Sequence, residues 1–198
     1  MAWKTAVFEL VSVVPLLMHN GQMADPSSPH ARALKAAVQE LKDKQKSKEG
    51  NSEELARIRD DVEWEGGLYF SKDAGPYIPA ENIEAALAKA KPSLKKKVVT
   101  GVFAERIVLQ YKGPRDIEGL KAKPEFRDRR CVALRGARLV RIRPKFEKWS
   151  GTLTLSYNDE VIKLDELVEC VKEAGKKGCC DYKPRYGRWD VVAHSEAA

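Results

Sequence analysis

Two runs in the last third of the chain have residue types and spacing suited to holding a polyanion. The first is KAKPEFRDRRCVALRGARLVRIRPKFEK, Lys121 to Lys148, where Arg127, Arg129, Arg130, Arg135, Arg138, Arg141, Arg143 and Lys145 stand among few acids. Arg141 and Arg143 alternate with Val140 and Ile142, so an extended backbone sends both guanidiniums to one side and both apolar groups to the other. A planar guanidinium offers two parallel donors to a phosphate, and a strand carrying several can grip phosphates at regular intervals. The second run is GCCDYKPRYGRWDVV, Gly178 to Val192, preceded by Lys176 and Lys177. Here Lys183, Arg185 and Arg188 interleave with Tyr182, Tyr186 and Trp189. Basic groups can hold a sugar–phosphate backbone while rings stack on splayed bases, at about 1–3 kcal/mol per base. A duplex exposes no base faces, so the pattern favours single strands. Tyr186, beside Gly187, is the stacking candidate; Trp189, inside a strand-like run, reads as core. Lys95, Lys96 and Lys97 would line the rim.

Other chemistries find less support. Cys131, Cys170, Cys179 and Cys180 form no C-x-x-C pair, and His19, His30 and His194 have no finger-like spacing. Adjacent cysteines such as Cys179 and Cys180 rarely chelate one ion or bridge each other. The expectation is four reduced thiols in a cytoplasmic protein with no metal and no cofactor. His19, flanked by Met18 and Asn20, is the one candidate catalytic residue, as a general base toward a ribose 2′-hydroxyl. A polar residue at a strand exit is the preferred reading of it. No phosphate-cradling glycine loop with lysine, nucleophile elbow or distinctive carboxylate pair is present.

The formal net charge of the 198 residues is +7, which favours polyanionic partners. No run approaches the roughly 20 apolar residues of a membrane span. Ala6 to Met18 is broken by Glu9 and Pro15 and reads as a buried strand, not a signal peptide.

The elements that must position these residues follow from periodicity. Lys4 to Met18 alternates with two apolar faces and predicts a long central strand. Ser28 to about Asp61 switches to helical spacing through Ala31, Leu34, Ala37, Val38 and Leu41, with a break at Gly50-Asn51-Ser52. This helical hairpin, residues 28–65, is predicted to be an insertion in a single domain covering 1–198. Leu68 to Phe70 suits a short strand. Pro79 opens a helix carrying Ile83, Ala86, Leu87 and Ala90, which Pro92 stops. Val98 to Tyr111, Cys131 to Arg143, Trp149 to Tyr157 and a last run from Trp189 read as strands. Val161 to Val171 marks an amphipathic helix closed by Gly175. Without the insertion the order is βαββαβ, so the expected class is α+β, a ferredoxin-like or RRM-like antiparallel sheet under two helices.

Three segments, VVPLLMHNG (Val13 to Gly21), GPYIPAENIEAALAKA (Gly75 to Ala90) and GCCDYKPRYGRWDVV, resemble the RAMP superfamily. Those are the RRM-like proteins of CRISPR RNA-guided complexes, their backbone subunits above all. The chain also resembles small phage or prophage proteins of this kind. It departs from the pattern at Asn82, Glu84 and Ala85, where basic residues are usual, and at Gly178-Cys179-Cys180, which has lost a glycine. The resemblance implies an RRM-like fold, a single-stranded nucleic-acid ligand and lateral self-association along it. For a phage-like protein that means coating DNA in replication or recombination rather than RNA. Backbone contacts are assigned to Arg138, Arg141, Arg143, Lys145, Lys183, Arg185 and Arg188. The alternatives are a metal-independent endoribonuclease using His19, and a phage protein that binds and inhibits a host nucleic-acid machine.

Overall fold

The computed structural model describes residues 3–47, 52–134 and 136–197. In chain order the elements are β1 (Trp3–Ser12), β2 (Leu16–Leu17), α1 (Pro29–Ser47), α2 (Ser52–Gly67), β3 (Phe70–Ser71), β4 (Gly75–Ile78), α3 (Ala80–Ala90) and α4 (Lys95–Gly101). There follow β5 (Val102–Ala104), β6 (Ile107–Val108), α5 (Ile117–Lys121), β7 (Arg127–Leu134), β8 (Ala137–Phe146), β9 (Ser150–Asn158), α6 (Leu164–Lys177) and β10 (Trp189–Ala197). These elements form two compact units. One joins Met1–Leu17, Tyr69–Gly113 and Phe146–Ala198; the other joins Met18–Leu68 and Pro114–Lys145.

The first unit is built on an antiparallel sheet of order β10-β1-β9-β5. The period-two pattern of β1 explains its central place. Ala6, Phe8 and Leu10 are buried, and Phe8 and Ala6 stand opposite Leu153 and Leu155 of β9. α3 packs on α6 and β5, and α6 packs on β10. α3 supplies Ile83, Ala86, Leu87 and Ala90 to the core, and α6 supplies Leu167, Cys170, Val171 and Ala174. Each fully buried large aliphatic chain contributes about 1.5–3 kcal/mol. β3, β4 and β6 form a small second sheet.

Three sequence expectations need correction here. The first strand ends at Ser12, not Met18, and Pro15 lies in the segment that leaves it. The stretch expected to be one strand from Val98 begins instead in α4, where Val98 is buried and Val99 is 61% exposed. One-sided burial after Pro92 overrides the β-propensity of the valine pair. Finally, α6 does not close at Gly175. It runs to Lys177, and Gly178, with φ +74, ends it. Gly175 lets the helix approach β10, since a Cβ there would lie 2.3 Å from the Trp189 carbonyl oxygen.

The second unit holds the helical hairpin. α1 and α2 pack together; α1 buries no residue fully, while α2 provides Leu55 and Trp64. Trp64 is fully buried and its Nε1–H donates to the Phe126 carbonyl at 2.9 Å. Met18, Leu68, Leu120 of α5, Phe126 and Ile142 of β8 are also buried in this unit. The unit extends beyond residues 28–65, because 114–145 belongs to it too. Cys131 to Arg143 is not one strand: β7 and β8 pair as a hairpin from Arg127↔Pro144 to Leu134↔Ala137, turning beside Gly136 with φ +82. The expected break at Gly50-Asn51, and Arg135, lie outside the described residues. Among the described residues no helix is long and apolar enough to cross a membrane.

Candidate functional site

Four arginines of β7 and β8 meet acids of α2. Arg143, 7% exposed, donates to Glu63 Oε1 at 3.0 Å, and Arg141 reaches the same oxygen at 3.4 Å. Arg129 donates to Asp60 Oδ2 at 2.8 Å and Arg127 to Asp61 Oδ1 at 2.6 Å. Arg130 pairs with Asp128 on its own strand, and Arg59 joins Asp60. Arg141 and Arg143 therefore do not form a free face opposite Ile142. Arg143 is buried and both guanidiniums share Glu63. Lys145 is half-buried. Arg138, near the hairpin turn, is exposed and has no carboxylate partner among the described residues.

The loop after α6 is organised differently. Gly178 and Gly187 let its two arms touch, because a Cβ would lie 2.6 Å from the Tyr186 oxygen at the first and 2.2 Å from the Cys179 oxygen at the second. Cys179 N–H donates to the Gly187 carbonyl at 3.0 Å across that contact. Cys180 and Tyr182 adopt φ of 62° and 52°, left-handed backbone that costs a side-chain-bearing residue about 1–2 kcal/mol. Bonds to the segment after β1 offset this. Asp181 N–H donates to Leu17 O at 3.1 Å, Gly187 N–H to Pro15 O at 2.8 Å, and Val13 N–H to Arg188 O at 3.0 Å. Asn82 Nδ2, at the start of α3, approaches Cys180 Sγ at 3.6 Å. Val13, Pro15 and Leu17 on one side and Asn82 on the other thus both contact the 178–188 loop inside the first unit.

On this fixed loop Lys183 and Arg185 are exposed, and among the described residues neither has a carboxylate partner. Tyr182 is 37% exposed, Tyr186 is half-buried, and Arg188 is half-exposed with its Nε buried and unpartnered. Trp189 is core, 1% exposed. Sequence reasoning did not assign Lys89 and Lys177, which join Lys183 around a small cavity of about 210 Å³. Lys177 Nζ donates to the Lys89 and Ala90 carbonyls at 2.7 Å each, satisfying the end of α3.

Of the remaining candidates, Lys95 and Lys96 are exposed, while Lys97 donates to Glu166 at 2.6 Å and holds that carboxyl below its ordinary value. His19 is exposed and lies in the second unit, between Met18 and the Asn20 that caps a short 3-10 turn. Cys179 is fully buried; its contact with Cys180 and its burial push the thiol well above the ordinary value of 9.0, so it stays protonated. No protein-family model matches the chain, and no curated protein matches it.

Proposed function

We propose that this is a non-enzymatic single-stranded nucleic-acid-binding protein whose 178–188 loop holds the phosphate backbone. The observation that carries the reading is the pair Lys183 and Arg185: both are exposed and without carboxylate partners, on a loop bonded at both ends to the segment after β1. Two such cations can neutralise neighbouring phosphates, and Tyr182 and Tyr186 flank them in the chain as rings to meet bases. Arg138, Lys95 and Lys96 are the other available cations from the sequence assignment. Arg141 and Arg143 are not carried forward as backbone contacts, because Glu63 takes both.

The first unit reads as a ferredoxin-like or RRM-like βαββαβ fold. Its support is the run β1, α3, β5, β9, α6, β10 together with the sheet order β10-β1-β9-β5. That reading agrees with a RAMP-like relationship, and with it a protein that self-associates along single-stranded DNA in phage replication or recombination. The test is a gel-shift panel of mixed-sequence single-stranded DNA, single-stranded RNA and duplex, each at two salt concentrations. Single strands are expected to bind and to weaken steeply with salt, as counterion release requires. Absence of binding to every single strand at low salt would sink the proposal.

A further inference from the structure

A cleft of about 740 Å³ opens in the first unit between the end of β1, residues 110–112 and residues 147–150. We propose that it receives a base of the strand whose phosphates the 178–188 loop holds; this rests on the nucleic-acid reading of that loop. Three observations point to such an occupant. The first is continuity. Val13, in the cleft wall, donates its N–H to Arg188 O at 3.0 Å, and Pro15, also in the wall, accepts from Gly187 N–H at 2.8 Å. The loop that carries Lys183 and Arg185 is therefore bonded directly to the wall of the cleft.

The second is the apolar part of the lining. Val11 and Val13 are 42% and 49% exposed, an apolar surface left open to solvent. Tyr111 stands beside them, held edge-on against Phe146 with ring centroids 4.9 Å apart. A nucleobase has flat faces that cover aliphatic surface and stack on a ring, and the volume lies within the roughly 300–1,000 Å³ of clefts that hold small ligands. The third is charge. Lys112 and Lys148 line the cleft, both exposed and without a carboxylate partner among the described residues. Glu147 is the acid in the lining. An apolar lining beside two available cations suits a base attached to a phosphate better than a neutral ligand. The Gln110 side chain, also in the lining, offers both a donor and an acceptor to a base edge.

The test is photo-cross-linking of the full chain with a thymidylate 30-mer carrying 5-iododeoxyuridine, with the attached peptides mapped by mass spectrometry. The ribo equivalent carrying 5-iodouridine runs in parallel to compare the two sugars. Cross-links at Tyr111, or within 11–15 or 147–150, are expected. Val13→Asn, a neutral change at an exposed position, should weaken thymidylate binding about tenfold. It should leave an abasic deoxyribose-phosphate 30-mer unaffected, whereas Lys183→Glu with Arg185→Glu should weaken both. Retained oligonucleotide binding with cross-links only outside these segments would overturn the cleft assignment alone. Equal loss of base-bearing and abasic strands in Val13→Asn would overturn it as well. No binding of either 30-mer at low salt would remove the loop reading together with it.

Discussion

On the β7–β8 hairpin, Arg127, Arg129, Arg141 and Arg143 are met by Asp61, Asp60 and Glu63 of α2, whereas Lys183 and Arg185 on the 178–188 loop face no carboxylate among the described residues. The hairpin has more cations and offers fewer. Its guanidiniums belong to a packed network, at one end of which Arg143 and Glu63 are 7% and 4% exposed. Desolvation makes such a pair a poor source of net stability, yet removing either partner strands a buried charge. On the loop, the backbone supplies the rigidity and the charged side chains remain available. Arginine density alone therefore does not measure anion affinity; what decides is whether acids elsewhere in the fold have already claimed the charge.

The sharpest way to break this contrast is Arg143→Glu. It places a second carboxylate beside Glu63 in a buried site, and the second unit should lose at least about 3–5 kcal/mol in urea unfolding. A stable variant with reduced oligonucleotide affinity would instead restore the hairpin as the binding face. Next is Gly187→Ala, where φ is +71 and the new Cβ would lie 2.2 Å from the Cys179 carbonyl oxygen. The loop should lose its closure at a cost of about 1–3 kcal/mol, and single-strand affinity should fall at least tenfold, read by fluorescence anisotropy. Lys183→Glu with Arg185→Glu should leave the melting behaviour within about 0.5 kcal/mol. It should lower affinity about 10–100-fold and reduce the slope of log K against log salt by about 1.4, two phosphate contacts at about 0.7 each.

A smaller effect compares the two regions through their thiols. Cys131 on β7 is exposed, and Cys179 in the loop is buried with its thiol held above the ordinary value. A raised value means less thiolate at any given pH, so at pH 8 iodoacetamide should modify Cys131 well before Cys179. Equal rates, followed by peptide mapping, would show that the loop opens readily.

What could be seen in the sequence was what short-range periodicity encodes. The stripe Ile83, Ala86, Leu87, Ala90 is the buried face of α3, and Leu153, Leu155, Tyr157 is the buried face of β9. Lys183 and Arg185 stand out in the sequence because charge and rings alternate within a few positions. The pairs that disarm the hairpin join residues 66 to 80 positions apart, and neither composition nor alternation registers them. Asp60, Asp61 and Glu63 lie in the predicted helical insertion, and the strands that supply their partners come much later in the chain. The hairpin turn was hidden by continuous strand-like patterning on both sides of Gly136. The anchoring of the loop on Val13 to Leu17 was equally invisible, because backbone donors and acceptors carry no sequence signal.

That anchoring has a consequence for how the protein comes into being. The seat, Val13 to Leu17, is translated well before the loop that occupies it. β10, which pairs with β1, arrives later still. On the proposed reading, a nascent chain that has not yet made the loop would carry the arginines of β7 and β8 without Lys183 and Arg185, so capture of a nucleic-acid strand would wait for residues 178–188.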